Sequence, residues 1–128
     1  MGLISHVSKK QTTVALSSVE AEYMAATHVI QEGLWLRSLF TELTIPFTSP
    51  IKVYLDNTGA IALSTAAKFH QRSKHIDLRY HFIREHIDNN IFQLIWAPSY
   101  KNTADILTKP LPRSTFLKFL RMLGLAAP

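Results

Sequence analysis

Three acidic residues lie where predicted helices and strands begin or end. Glu22 falls early in a predicted long helix, Asp56 ends a predicted strand, and Asp105 opens a predicted short helix. A buried carboxylate is costly unless it is paired or binds a metal. A few carboxylates, with water and substrate phosphates, hold hard cations such as Mg²⁺. If the three converge, they would suit two-metal hydrolysis of a phosphodiester.

Each of these acids also has a simpler explanation. Asp56 begins an Asp-Asn-Thr-Gly segment, which is an ordinary turn and helix-cap sequence. Glu22 and Asp105 could each interact with the dipole at the start of a helix. Ser17 and Glu20 already form a predicted capping box, so Glu22 is not needed there. Local sequence leaves these alternatives open.

The histidines and cysteines argue against a zinc site. His70, His75, His81 and His86 are spaced by 5, 6 and 5 residues, and no His-x-x-x-His pair occurs. The chain contains no cysteine, which excludes disulfides, thiolate zinc sites and thiol catalysis. The histidines are therefore interpreted as surface or packing residues.

A short basic segment carries Arg72, Lys74 and Arg79. The net charge of +5 is compatible with a polyanionic partner. These three residues are candidate contacts to nucleic-acid phosphates, and the alternative is an ordinary solvated face.

The elements that must position these residues alternate along the chain. The sequence predicts a β-leaning segment over residues 1–16, helices over 17–43, 57–66, 74–88, 103–109 and 114–123, and strands over 51–56 and 91–96. Such alternation predicts an α/β sheet with at least one parallel pair. Open α/β sheets bind ligands beyond the carboxyl ends of their strands, where Asp56 lies. The predicted inner face of the long helix consists of Glu22, Ala25, Ala26, Val29, Gly33, Leu36 and Phe40.

Length and composition describe one globular domain over residues 1–128. Apolar residues make up 47% of the 128, enough to form a core. No apolar run approaches the roughly 18 residues of a membrane span, and the start lacks the pattern of a signal peptide. We expect no membrane partner and an intracellular location, in the cytoplasm or the nucleus.

Four segments in order, residues 8–25, 54–57, 74–85 and 104–109, carry a family resemblance. They closely resemble the SKKQ…VALSSTEAEYMA, YCDN, KHIDIRYHFIRE and ADILTK motifs of copia-type retrotransposon Pol polyproteins. The resemblance runs from about residue 4 to about residue 125. In that family this region is the ribonuclease H domain that follows the reverse transcriptase.

The resemblance implies a ribonuclease H-like α/β fold, with helices flanking a mixed sheet of three antiparallel strands followed by two parallel ones. In the family, four acids bind two Mg²⁺ or Mn²⁺ ions, and the domain hydrolyses the RNA strand of an RNA–DNA hybrid. Glu22, Asp56 and Asp105 match the second, third and fourth acids. Glu22 is chosen over Glu20 because the family tends to have Glu-Leu-x-Ala-Ala from that acid onward.

Two departures from the family affect the expected activity. The acid of the family's first strand, in a segment similar to SDADWAG, has no counterpart, so we expect an N-terminally truncated domain without the first two strands. Many cellular and retroviral relatives also carry a mobile histidine about ten residues before the last Asp, and residues 95–102 contain none. The missing histidine would affect only the rate of hydrolysis. From the missing acid we expect this chain alone to be inactive.

These expectations leave three functional hypotheses. The chain is part of a hybrid-cleaving nuclease, with the reverse transcriptase and integrase regions of a parent polyprotein as partners. Alternatively, it is a non-catalytic remnant that binds nucleic acid, or a domesticated interaction module. The predicted strand within residues 4–16 would also have an unpaired edge, from which we expect self-association.

Overall fold

Helices and strands alternate in the computed structural model, which describes residues 2–12, 14–65 and 74–125. In these residues the order is α1 (Ser18–Glu42), β1 (Ile51–Leu55), α2 (Thr58–Thr65), α3 (Lys74–Asp88), β2 (Phe92–Trp96), two 3₁₀ turns (Ser99–Lys101 and Thr103–Leu107) and α4 (Arg113–Met122). No helix among them is long and apolar enough to cross a membrane. Four of the five predicted helices and the two later strands are therefore present, with ends shifted by a few residues at most, whereas the segment predicted as a helix over 103–109 forms a 3₁₀ turn.

The chain forms two compact units. One unit is Ala15–Ala97 and contains α1 to α3 with both strands. The other consists of Met1–Val14 together with Pro98–Pro128, and it contains the 3₁₀ turns and α4. Glu22 and Asp56 lie in the first unit and Asp105 in the second. The assignment of residues 1–128 to a single domain stays a prediction.

The two strands pair in parallel, as the alternation of elements predicted. Their register runs from Ile51 opposite Phe92 to Leu55 opposite Trp96. The ladder extends beyond both ends, because Ile51 N–H donates to the Ile91 carbonyl at 2.9 Å and Ala97 N–H donates to the Leu55 carbonyl at 2.8 Å. Helices α2 and α3 form the crossover that a parallel pair requires.

The N-terminal segment differs from its prediction. None of its described residues, 2–12 and 14–17, belongs to a strand, and Val14 is 90% exposed. An isolated strand is unstable without a neighbour and a buried face, and the only two strands in the described part of the chain pair with each other. The expected strand edge is therefore absent from the described part of residues 4–16, and the sheet formed by the described strands is purely parallel rather than mixed.

The core of the larger unit lies between α1, α3 and one face of the sheet. The inner face of α1 differs from the predicted one, because Val29 is 47% exposed while Ile30 is fully buried. Several faces of this helix carry apolar residues, so contact with the sheet rather than periodicity selects the buried one. The predicted stripe of α3 is confirmed at Tyr80 and Ile83. The core cluster consists of Tyr23, Ala26, Ile30, Val53, Leu55, Tyr80, Ile83 and Phe92.

A glycine lets α1 approach the sheet closely. A Cβ atom on Gly33 would lie 2.7 Å from Cε1 and 2.8 Å from Cζ of Phe92. Phe92 is buried, so its ring has little room to move. Glycine costs a helix interior up to about 1 kcal/mol relative to alanine. Here that cost is offset by packing on the ring.

We expect Gly33→Ala to lower the free energy of unfolding by ~1 kcal/mol, because an overpacking cost of about 1–3 kcal/mol exceeds the gain in helix propensity. Urea denaturation measures the change. Gln31→Ala, at an exposed position of the same helix, is the control and should be neutral or stabilising. Adding Phe92→Leu should reduce the penalty of Gly33→Ala. A stabilised Gly33→Ala protein would contradict the contact.

Candidate functional site

The start of α1 is closed by a side-chain cap that involves Glu20. The Ser17 hydroxyl accepts a hydrogen bond from Glu20 N–H at 3.1 Å. In turn, Oε2 of Glu20 accepts one from Leu16 N–H at 2.8 Å. The predicted capping pair is thus confirmed, with Glu20 reaching one residue further back than the usual partner. The Glu20 carboxylate is committed to the helix end.

Glu22 lies on a different side of α1 from Glu20. Two residues along an α-helix correspond to a rotation of about 200°. Glu22 is half-buried and directly precedes Tyr23, a member of the core. These positions favour Glu22 over Glu20 as the candidate ligand in the first helix.

The turn after β1 holds Asp56 at the carboxyl end of the sheet. Asp56 is half-buried and directly follows Leu55, the last residue of β1. The side-chain oxygen of Asn57 accepts a hydrogen bond from Gly59 N–H at 2.9 Å. This Asx-type turn leads into α2 and restrains the backbone next to Asp56.

The starts of α1 and α2 meet at this turn. A Cβ atom on Gly59 would lie 3.0 Å from Cγ2 of Val19, so the two helices approach closely there. Val19 and Glu22 are three residues apart and share a helix face. Glu22 therefore lies on the side of α1 that meets the turn carrying Asp56. The larger unit brings the elements of these two predicted site residues together.

Asp105 lies in the other unit, where its carboxylate has a partner. The Lys109 ammonium is 2.8 Å from Oδ2 of Asp105, whose side chain is only 13% exposed. Asn102 caps this 3₁₀ turn, its side-chain oxygen accepting a hydrogen bond from Ala104 N–H at 3.2 Å. The predicted helix over 103–109 is thus shorter and tighter, ending at Leu107. Convergence of all three acids stays a prediction.

Oxygen ligands of the kind that Mg²⁺ prefers are present, since all three candidates are carboxylates. Among the residues that the structure describes, no group of three or more His, Asp or Glu side chains is placed to hold a metal ion. His86 has a packing role, with Nδ1 2.7 Å from the Phe82 carbonyl oxygen and its ring 4.5 Å from that of Phe82.

The predicted basic patch is only partly visible. Arg72 lies outside the described residues. Lys74 is the first residue of α3, and Arg79 follows on the same helix, where it is half-buried. The patch therefore stays a prediction centred on the first half of α3.

Sequence analysis missed a polar link between α1 and α3. The Tyr23 hydroxyl donates to the Tyr80 carbonyl oxygen at 3.5 Å, and the two rings stack with centroids 6.4 Å apart. Arg84 in turn donates from Nη1 to the Tyr80 hydroxyl at 3.0 Å. Burial, and to a lesser extent Tyr80, raise the pKa of Tyr23, so its hydroxyl stays protonated. In the sequence, the i, i+4 spacing of Tyr80 and Arg84 was the signal that could have predicted their hydrogen bond.

Comparison with known proteins gives relatives for nearly the whole chain. It is 43% identical over 121 residues to the retrovirus-related Pol polyprotein from transposon RE2 of Arabidopsis thaliana, covering 94% of this chain and 8% of that protein. The polyprotein from transposon RE1 of the same plant is 42% identical over 121 residues, with the same coverage of both chains. The polyprotein from transposon TNT 1-94 of Nicotiana tabacum is 42% identical over 124 residues, covering 97% of this chain and 9% of that one.

The matched segment covers nearly all of this chain but only a small part of each relative. This chain spans less than a tenth of the length of each polyprotein. No family model matches the sequence, and no solved structure matches it either.

The cap at the start of α1 predicts a change in stability when its acceptor is removed. Ser17→Ala should lower the free energy of unfolding by about 1 kcal/mol, because an N-cap acceptor is lost. Ser17→Asp should retain most of the stability, since aspartate is also a good N-cap. Ser38→Ala, at an exposed position inside α1, is the matched control and should not destabilise. Urea denaturation decides, and equal stabilities of the parent and Ser17→Ala chains would refute the cap.

Proposed function

We propose that this chain, which is related over nearly its whole length to a segment of retrotransposon Pol polyproteins, corresponds to part of a ribonuclease H-type domain. Its reaction in the complete domain is hydrolysis of the RNA strand of an RNA–DNA hybrid. The ribonuclease H-like fold is part of the same proposal, supported by the parallel β1–β2 pair and its flanking helices.

The observation that carries the proposal is the meeting of α1 with the turn after β1. The Val19–Gly59 contact supports the proposal, because Glu22 shares a face of α1 with Val19, and Gly59 lies three residues after Asp56 at the carboxyl end of β1. This is the end of an α/β sheet at which ligands bind. Both acids match catalytic positions in the family resemblance, and they come from elements far apart in sequence.

Glu22, Asp56 and Asp105 would serve as ligands for Mg²⁺ or Mn²⁺. A bound pair of such ions would supply an activated water and stabilise the leaving oxygen. The Lys109 ammonium lies 2.8 Å from Oδ2 of Asp105 and would compete with a metal ion for that oxygen. The Asn57–Gly59 turn restrains the backbone beside Asp56.

Arg72, Lys74 and Arg79 would contact phosphates of the hybrid. Such contacts position the nucleic acid without selecting a sequence, which agrees with recognition of a hybrid by its backbone and 2′-hydroxyl groups. The reverse transcriptase and integrase regions of a parent polyprotein are the protein partners that this proposal entails.

The 128 residues contain counterparts of three of the four family acids. For this reason the chain by itself is proposed to bind hybrids without cleaving them. A non-catalytic remnant that binds nucleic acid is the alternative that the same observation favours. A domesticated interaction module is a further alternative, with no residue that favours it.

Cleavage of a labelled RNA–DNA hybrid tests the nuclease proposal. The 128-residue chain should give no product with Mg²⁺ or Mn²⁺. A longer chain, joined to the two strands and first-strand acid of a Pol relative, should cleave. Two-metal hydrolysis requires the missing carboxylate, and Asp56→Asn in the longer chain should abolish the activity. Asp88→Asn, at an exposed acid paired with Arg84, is the control and should remain active.

Two results would contradict this proposal. If the longer chain folds but does not cleave the hybrid, the ribonuclease H assignment is wrong. Cleavage by the short chain that disappears in Asp56→Asn would show that three acids are sufficient.

Binding of the uncleaved hybrid tests the basic patch. Arg79→Ala should weaken binding and reduce the slope of log K against log salt by about 1, because one phosphate contact is lost. Arg37→Ala is the matched control, since Arg37 belongs to the same unit but packs over the Phe47 ring at 5.7 Å. Fluorescence anisotropy at several salt concentrations measures both slopes. Equal slopes for the parent and Arg79→Ala chains would place the phosphate contacts elsewhere.

A further inference from the structure

The end of β2 carries a large aromatic side chain that is open to solvent. Trp96 is the last residue of β2 and lies opposite Leu55 in the parallel register. Ala97 N–H donates to the Leu55 carbonyl at 2.8 Å, which ties the residue after Trp96 to the residue before Asp56. Since neighbouring strands are roughly 4.8 Å apart, Trp96 and Asp56 belong to the same end of the sheet.

The path of α1 explains why Trp96 is 53% exposed on the sheet face that this helix covers. Alternate residues of a strand share a face, so Trp96 shares one with Phe92, which is buried in the core. The helix approaches Phe92 at Gly33, by the start of β2, and approaches Gly59 at Val19, beyond the end of β1. It therefore crosses the sheet diagonally and does not cover the end of β2.

We propose that Trp96 packs against a sugar of the hybrid bound at Glu22 and Asp56. This inference rests on the function proposed above, and it adds an apolar contact to a site otherwise made of charged groups. The start of α1, the turn at Asp56 and Trp96 all lie at the carboxyl end of the sheet, where ligands of α/β proteins bind. A strand held at the two carboxylates would therefore pass within reach of the indole.

The chemistry of an indole ring suits this contact. Bases of a hybrid are stacked on each other, whereas the minor groove of an A-form helix is wide and shallow and exposes the sugars. An apolar ring can pack on the sugar of any nucleotide, so the contact adds affinity without selecting a sequence. The ring carries no charge and releases no counterions, unlike a phosphate contact of a lysine or arginine. The affinity that Trp96 contributes should therefore not depend on salt.

Anisotropy titrations of a labelled RNA–DNA hybrid at several salt concentrations measure this contact. Trp96→Ala should raise the dissociation constant about tenfold at each salt concentration, with an unchanged slope of log K against log salt. Trp96→Phe retains an aromatic ring and should lose less affinity than Trp96→Ala. Trp35→Ala is the matched control and should leave binding unchanged, because Trp35 is similarly exposed, at 57%, but lies within α1.

Tryptophan fluorescence gives a second readout that does not depend on the folding of the alanine variant. The sequence contains two tryptophans, so Trp35→Phe leaves Trp96 as the sole emitter. Unlabelled hybrid should change the emission of Trp96 in that variant. Trp96→Phe leaves only Trp35, whose emission should stay constant while the hybrid binds. Single-stranded RNA of the same sequence should affect Trp96 less than the hybrid does, because it offers no duplex groove.

Three results would overturn this inference. If the hybrid binds without changing the emission of Trp96, the indole lies away from the nucleic acid, although hybrid binding itself stands. A larger response to single-stranded RNA than to the hybrid would indicate base stacking instead of a groove contact. A chain that binds no hybrid would contradict the inference together with the binding part of the proposed function. An inactive longer chain, by contrast, would contradict only the nuclease assignment.

Discussion

Parallel pairing of β1 with β2 is the constraint on which the larger unit depends. Parallel neighbours cannot be joined by a tight turn, so the chain must leave the carboxyl end of β1 and cross over before it enters β2. Helices α2 and α3 make that crossing. As a result, the residues after β1 form a turn at the sheet's edge, and Asp56 lies at the beginning of that turn.

Two close contacts then fix α1 against this framework. Gly33 allows the middle of the helix to lie on the Phe92 ring, and Val19 brings its start against Gly59. The first contact involves β2 and the second involves the start of α2. Because both contacts hold the same helix, they restrain its rotation and its axial position together. The position of Glu22 is set by these restraints. Tyr23 adds a polar link to α3 just beyond Glu22.

The acidic residues show how identical carboxylates take different roles through their surroundings. Glu20 accepts a backbone hydrogen bond at the helix start, and Asp105 pairs with Lys109. Glu22 lies on the face of α1 that approaches the start of α2 at Gly59. Carboxylate chemistry alone does not separate these roles, whereas the partners of each side chain do. The site proposed for metal ligation thus depends on helix placement more than on residue type.

Much of the secondary structure follows from local rules. The Ser17–Glu20 cap starts α1, alternating residues give β1, and the Tyr80–Ile83 spacing gives α3. Asn90 ends α3 with a positive φ of 55°, which asparagine tolerates well. Each of these features involves residues within a few positions of each other, so the sequence by itself was sufficient to predict them.

Other features were decided only by tertiary contacts. The long helix carries apolar residues on several faces, and the sheet selected Ile30 rather than Val29 for burial. The β-leaning residues near Val14 form no strand, because strand formation requires a partner that the local sequence does not supply. Likewise, the family resemblance predicts Glu22 and Asp56 as site residues, but only the Val19–Gly59 contact brings their elements together. Periodicity specifies which residues share a face, whereas the surfaces available for packing determine which face is used.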